Sequence, residues 1–170
     1  MTSGLTKYIR HKRKLHDARK GQPAGTGQLS ARVVAEGRSG IRRLFIRDFQ
    51  IITDGSPAGG GFDLGPAPGE LLIGAVAGCL NHGFLIQASL LDIEIDALEV
   101  VAEAVSKPGQ IGTGSSEPVD LELRYTAKIQ SPASDAELED LRQRVELNSF
   151  VYNVVTRGAS IAGRLERITT

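Results

Sequence analysis

Hydrophobic and polar positions change their period several times along the chain, and each change marks a predicted element. Residues 1–20 place Leu5, Tyr8, Ile9 and Leu15 at a loose helical spacing among polar neighbours. Residues 21–27 are rich in Gly, Pro and Thr and read as a linker. Two-residue alternation follows. Residues 28–37 alternate around Leu29, Ala31, Val33 and Ala35. Residues 41–53 alternate around Leu44 and Ile46 and, less cleanly, Phe49 and Ile51. Gly37-Arg38-Ser39-Gly40 between them predicts a tight turn, hence a hairpin. Residues 54–68 hold five glycines and three prolines and are expected to form an irregular loop.

The strongest helix signal runs from Pro68 to Leu91. Pro68 suits the first turn, and Glu70 complements the positive end of the dipole. Leu71, Leu72, Ala75, Val76, Cys79, Leu80, Leu85, Ile86 and Leu90 spread over most of the circumference. A helix apolar nearly all round is buried on all sides. At about 36 Å long, it is hard for a small domain to cover alone, and a homodimer is the simplest cover. Beyond it, residues 93–105 and 119–130 alternate as strands, separated by a Gly/Ser-rich stretch at 107–117. Ser134 and Glu137 form a capping-box pattern before Leu138, Leu141 and Val145, which predicts a second helix. A short segment, 150–156, leads to an expected last strand over 159–168. Strands, helix, strands, helix, strand is an α+β order, without the regular alternation of a doubly wound sheet.

Composition narrows the class. Twenty basic and twenty acidic residues among 170 cancel, so the chain as a whole advertises no nucleic-acid or membrane partner. Only the first segment is biased: Lys7, Arg10, Lys12, Arg13, Lys14, Arg19 and Lys20 face the single acid Asp17. It reads as a basic arm over 1–27 preceding a domain at 28–170. Contact with nucleic acid or anionic lipid is one reading of the arm, and a solvated helical extension packing on a partner subunit is the simpler one. The lone cysteine excludes an intramolecular disulfide and suits a reducing cytoplasm. No signal-peptide pattern opens the chain, and the most apolar run, 71–80, is too short to span a bilayer.

Several chemistries drop out. There is no Cys-x-x-Cys and no His pair at metal-ligand spacing, so no metal or cofactor is expected; His11 and His16 belong to the solvated arm. No phosphate loop ends in Lys-Ser/Thr. Cys79 remains. A buried helical cysteine is commonly a small hydrophobe, whereas a working thiol needs positive charge beside it. His82, three residues on, could touch the sulfur or be a hydrogen-bonded interface residue. Arg38 at the hairpin tip is either a mobile thiolate partner or a solvated turn residue.

The run Asp63-Leu64-Gly65-Pro66-Ala67-Pro68-Gly69-Glu70-Leu71-Leu72, followed by Ala75-Val76-Ala77-Gly78-Cys79-Leu80, resembles the OsmC/Ohr family of osmotically induced and organic hydroperoxide resistance proteins. Gly37–Gly40 and Ser149-Phe150-Val151-Tyr152-Asn153-Val154 fit the same pattern, and the likeness extends over residues 28–168. The resemblance implies an intertwined α+β homodimer, with antiparallel sheets around long central helices and two active sites at the interface. It implies Cys79 as the thiol that attacks an organic hydroperoxide, Arg38 as its activating arginine and a glutamate holding that arginine. It also implies a second cysteine that closes a disulfide and a thiol or lipoyl reductant that resets it. Here the second cysteine is replaced by Ser149. The glutamate position ten residues before Cys79 is Gly69, and Glu70 stands one residue later.

Two functions are expected to compete. The first is a cytoplasmic one-cysteine thiol peroxidase of oxidative-stress defence: Cys79 is the nucleophile, Arg38 its cation, Glu70 and His82 are accessory, and an external thiol is the reductant. The second is a non-catalytic OsmC-like protein that binds an apolar small molecule at the dimer interface.

Overall fold

The longest apolar stretch organises the molecule. The computed structural model describes residues 4–22, 27–37, 39–106 and 121–167. Helix α2 (Pro68–Leu91) runs through its centre, with helix α1 (Gly4–Asp17), strand β4 (Ala97–Ser106), helix α3 (Asp135–Asn148) and helix α4 (Phe150–Arg157) packed against it. Pro68 occupies the first turn, and the Glu70 carboxylate accepts the Ala67 N–H at 2.7 Å, so the start of α2 is closed as its sequence predicts. Asp92, at φ 62, ends the helix and turns the chain. Ile93 and Ile95, expected within a strand, lie buried in this connection, and the strand begins only at Ala97.

Every fully buried apolar side chain among the described residues belongs to this helical half. They are Ile9 of α1; Val76, Leu80, Phe84 and Ala88 of α2; Ile93 and Ile95; and Leu141 and Val145 of α3. Burying each large one contributes roughly 1.5–3 kcal/mol. β4 pairs antiparallel with β5 (Leu121–Gln130) from Ala97↔Gln130 to Ser106↔Leu121. The inward positions Leu121, Leu123, Tyr125, Ala127 and Ile129 of β5 alternate with exposed ones. The expected loop at 107–117 and the first residues of the strand expected at 119–130 lie outside the described residues.

The basic segment forms α1. Thr6 is buried and donates to the Ile95 carbonyl at 3.1 Å, and Ile9 enters the core. Arg10 pairs with Glu94, and Arg13 with Asp92 at 3.1 Å, so part of its charge faces acids at the end of α2.

β1 (Arg32–Ala35), β2 (Arg42–Ile46) and β3 (Phe49–Thr53) form a separate antiparallel sheet. The single strand expected over 41–53 is thus two strands, folded at Arg47-Asp48 so that Ile46 faces Phe49. The irregular step from Ile46 to Phe49 in the apolar pattern is the mark of that turn, and Arg47 takes the left-handed conformation it requires at φ 54. This sheet contributes no apolar side chain to the buried core, and Val33, Val34, Ile46 and Phe49 are exposed. The strand expected over 159–168 is not formed in its described part: residues 158–167 hold no regular element. A strand needs an edge to pair with, and this segment leaves Ile161 and Leu165 95% and 96% exposed.

The glycine-rich loop, 54–67, is ordered around Asp54. Its buried carboxylate accepts backbone N–H groups from Gly55 at 2.8 Å and Phe62 at 2.9 Å. These bonds, that from Phe62 foremost, hold the Asp54 carboxyl below its usual range. Gly65 lies so close to β3 that a Cβ there would stand 2.2 Å from the Ile52 oxygen, so only glycine lets the loop cross the strand and deliver the chain to Pro68.

Candidate functional site: a cysteine facing a buried serine

Cys79 lies half-buried about three turns into α2. Its hydrogen-bond partner is Ser149, whose Oγ donates to the sulfur at 3.2 Å. Local structure places Ser149 there. Helix α3 ends with the Ser149 N–H bonded to the Val145 oxygen at 2.8 Å, and the same residue then caps α4, its Oγ accepting the Tyr152 N–H at 3.4 Å. Asn153 fixes this corner, its Nδ2 donating to the Glu146 and Ser149 carbonyls at 2.9 and 2.7 Å. Ser149 is 4% exposed. The sulfur therefore lies within hydrogen-bond reach of the residue that caps α4.

α3 can come this close because Gly83 follows Cys79 by one turn. A Cβ at Gly83 would stand 3.0 Å from the Val145 Cγ1.

A cleft of about 380 Å³ opens where α2, β5 and α4 meet. Val76, one turn before Cys79, forms part of its wall with Leu121, Leu123 and Tyr125 of β5 and Tyr152 and Val155 of α4; Arg124 and Thr156 complete it. The Tyr125 and Tyr152 rings meet edge to face, 6.5 Å apart. The Tyr125 hydroxyl donates to Glu146 Oε1 at 2.6 Å, and Arg142 Nη1 holds the same oxygen at 2.5 Å. Burial, then the Glu146 carboxylate, pushes the Tyr125 phenol up to about 12.

The other candidates from the sequence are scattered. Glu70 is exposed and engaged in closing the start of α2. His82 is exposed and makes no bond to the sulfur. Arg38 lies outside the described residues. Among the described residues no cation bonds Cys79, and none of the His, Cys, Asp or Glu side chains cluster as metal ligands. Sequence reasoning overlooked Tyr125, Glu146 and Arg142. The inward phase of β5 signals Tyr125, but its network partners lie on α3 and meet it only in the fold.

A two-stranded sheet and three helices around a central apolar helix, with a thiol hydrogen-bonded at a helix corner, define an α+β thiol-bearing protein. The family model for OsmC-like protein matches residues 60–162, and the chain belongs to that family. The same fold occurs in the OsmC-like protein from Mycoplasma pneumoniae (19% identity, 78% of this chain and 89% of that one, TM-score 0.65). An organic hydroperoxide resistance protein OsmC from Legionella pneumophila shares it (16%, 79% and 93%, 0.61). So does the organic hydroperoxide resistance protein OhrB of Bacillus subtilis (16%, 78% and 92%, 0.55). No curated protein matches the chain significantly in sequence.

Proposed function

We propose that this OsmC-like protein is a one-cysteine thiol peroxidase of oxidative-stress defence that reduces organic hydroperoxides in the cytoplasm. The observation that carries the reading is Cys79, half-buried rather than sealed, its sulfur hydrogen-bonded by a buried hydroxyl on a helix whose Val76 lines an apolar cleft. The Cys79 thiolate attacks the outer peroxide oxygen. The O–O bond breaks, the sulfur becomes a sulfenic acid, and the alkoxide takes a proton and leaves as an alcohol. Ser149 has no thiol, so no internal disulfide can form. An external thiol condenses with the sulfenic acid and releases water. A second thiol then displaces Cys79 and leaves as the oxidised disulfide. One hydroperoxide and two thiols thus become one alcohol, one disulfide and one water.

The working unit is a homodimer. Three features support this reading: the uncovered β1–β2–β3 sheet, the exposed Leu72 and Leu90 on α2, and the unpaired stretch carrying Ile161 and Leu165. Each leaves apolar surface or a strand edge that a second copy would cover. Arg38 is proposed as the thiolate's cation, and Glu70 and His82 as accessory residues. The cleft also suits a second reading, a non-catalytic binder of an apolar molecule.

The test follows loss of cumene hydroperoxide with dithiothreitol as reductant. The peroxidase reading expects catalytic consumption by the wild type and none by Cys79→Ser. Equal rates in the two proteins would refute it and leave the binding reading.

A further inference from the structure

We propose that Ser149 is a positioning residue that donates its hydroxyl proton to the Cys79 thiolate and holds the sulfur in its nucleophilic form. The inference rests on the peroxidase reading for its purpose, but its physical claim concerns only these two side chains. The direction of the bond follows from what surrounds the oxygen. Ser149 Oγ accepts the Tyr152 N–H at 3.4 Å, so a backbone donor already faces its lone pairs. Its own proton points to the Cys79 sulfur at 3.2 Å. At 4% exposure water does not compete freely for that proton. A hydrogen bond donated to an ionised acceptor is stronger than one to its neutral form, so this contact favours the thiolate over the thiol.

The surroundings point the same way. Ser149 caps α4, so its hydroxyl is held at the start of that helix. The residue is held at two points, its hydroxyl by the capping bond and its backbone carbonyl by the Asn153 amide at 2.7 Å. The donor is therefore set before any substrate arrives. A cysteine here would offer a weak S–H donor and a competing nucleophile; serine offers a strong donor and no sulfur chemistry.

The experiment measures alkylation of Cys79 by iodoacetamide, which reports the thiolate without peroxide. It uses the full-length protein and the variants Ser149→Ala, Ser149→Gly and Ser149→Thr. A lost hydrogen bond to a charged group lowers the thiolate population about tenfold, and the greater intrinsic nucleophilicity of the less stabilised sulfur returns part of that. The rates of Ala and Gly at pH 7 should therefore fall about three- to tenfold, and Thr should stay close to wild type. Gly retains most of the helix-capping preference while lacking the hydroxyl, so a wild-type rate in Gly with a slow rate in Ala would overturn the proposal in favour of capping alone. At about pH 10.5, where ordinary thiols are ionised, the deficit should vanish; a deficit of equal size at both pH values would also overturn it. Slow alkylation in Ala and Gly together with a wild type inert to cumene hydroperoxide would sustain the inference and remove the peroxidase reading. The opposite pattern would remove the inference alone.

Discussion

Replacing Gly83 by alanine pits two effects of opposite sign against each other at the crossing of α2 and α3. Alanine in a helix interior is favoured over glycine by about 1 kcal/mol. Against this, the new Cβ would stand 3.0 Å from the Val145 Cγ1 and 3.9 Å from its Cβ. Val145 is fully buried and Leu141, one turn earlier, is too, so the valine cannot swing into solvent. Its branched side chain is also stiff about χ1. Overpacking of this kind costs about 1–3 kcal/mol. The net is a destabilisation of about 1 kcal/mol, or a fall in Tm of about 2–4 °C for a chain of this size. Thermal unfolding followed by circular dichroism would measure it. The companion substitution Val145→Ala makes room for the methyl group, so the double variant should be more stable than the sum of the single effects by about 1 kcal/mol. A rise in Tm for Gly83→Ala alone would mean that helix propensity wins. The close approach of α3, which brings Ser149 to Cys79, would then not depend on that glycine.

Further outcomes follow from the same contacts. Asp54 is held below the usual carboxylate range by the Phe62 and Gly55 N–H groups, so its stabilisation is complete above about pH 4 and lost as pH falls through the lowered folded value. Asp54→Asn should flatten the acid limb of the stability profile, and equal acid slopes in urea titrations at stepped pH would refute this. Tyr125, pushed up to about 12, favours its neutral form in the fold. Its contribution holds below about pH 10 and fades as pH rises toward the folded value; Tyr125→Phe should remove the late step from a tyrosinate absorbance titration. Ser149→Cys should close a disulfide with Cys79 under cumene hydroperoxide, because the two side chains already touch at 3.2 Å. Two free thiols remaining by thiol titration would contradict that placement.

Much of this architecture was legible where one local signal dominated. Pro68, Glu70 and the apolar run placed α2 from Pro68 to Leu91, and the capping box at Ser134 placed the start of α3. Legibility failed where a partner decides. The alternation over 159–168 suits a strand, but no edge among the described residues receives it, and its described part stays irregular. The slip between Ile46 and Phe49 was visible as an imperfect phase, and only the pairing revealed a turn. In residues 150–156 the short apolar spacing belongs to a helix capped by Ser149, not to a connecting segment. At the site, family likeness singled out Ser149 as the position of an absent cysteine, and the fold sets it against Cys79. Glu70 and His82 matched by spacing alone, and their side chains are exposed on α2.

The proposed function requires that an organic hydroperoxide reach Cys79 and oxidise it once. Mass spectrometry of the reduced protein after brief exposure to cumene hydroperoxide and dimedone tests it most directly. One dimedone adduct is expected, located on Cys79 and absent without peroxide. An unmodified Cys79 under conditions that oxidise a free cysteine peptide would contradict it.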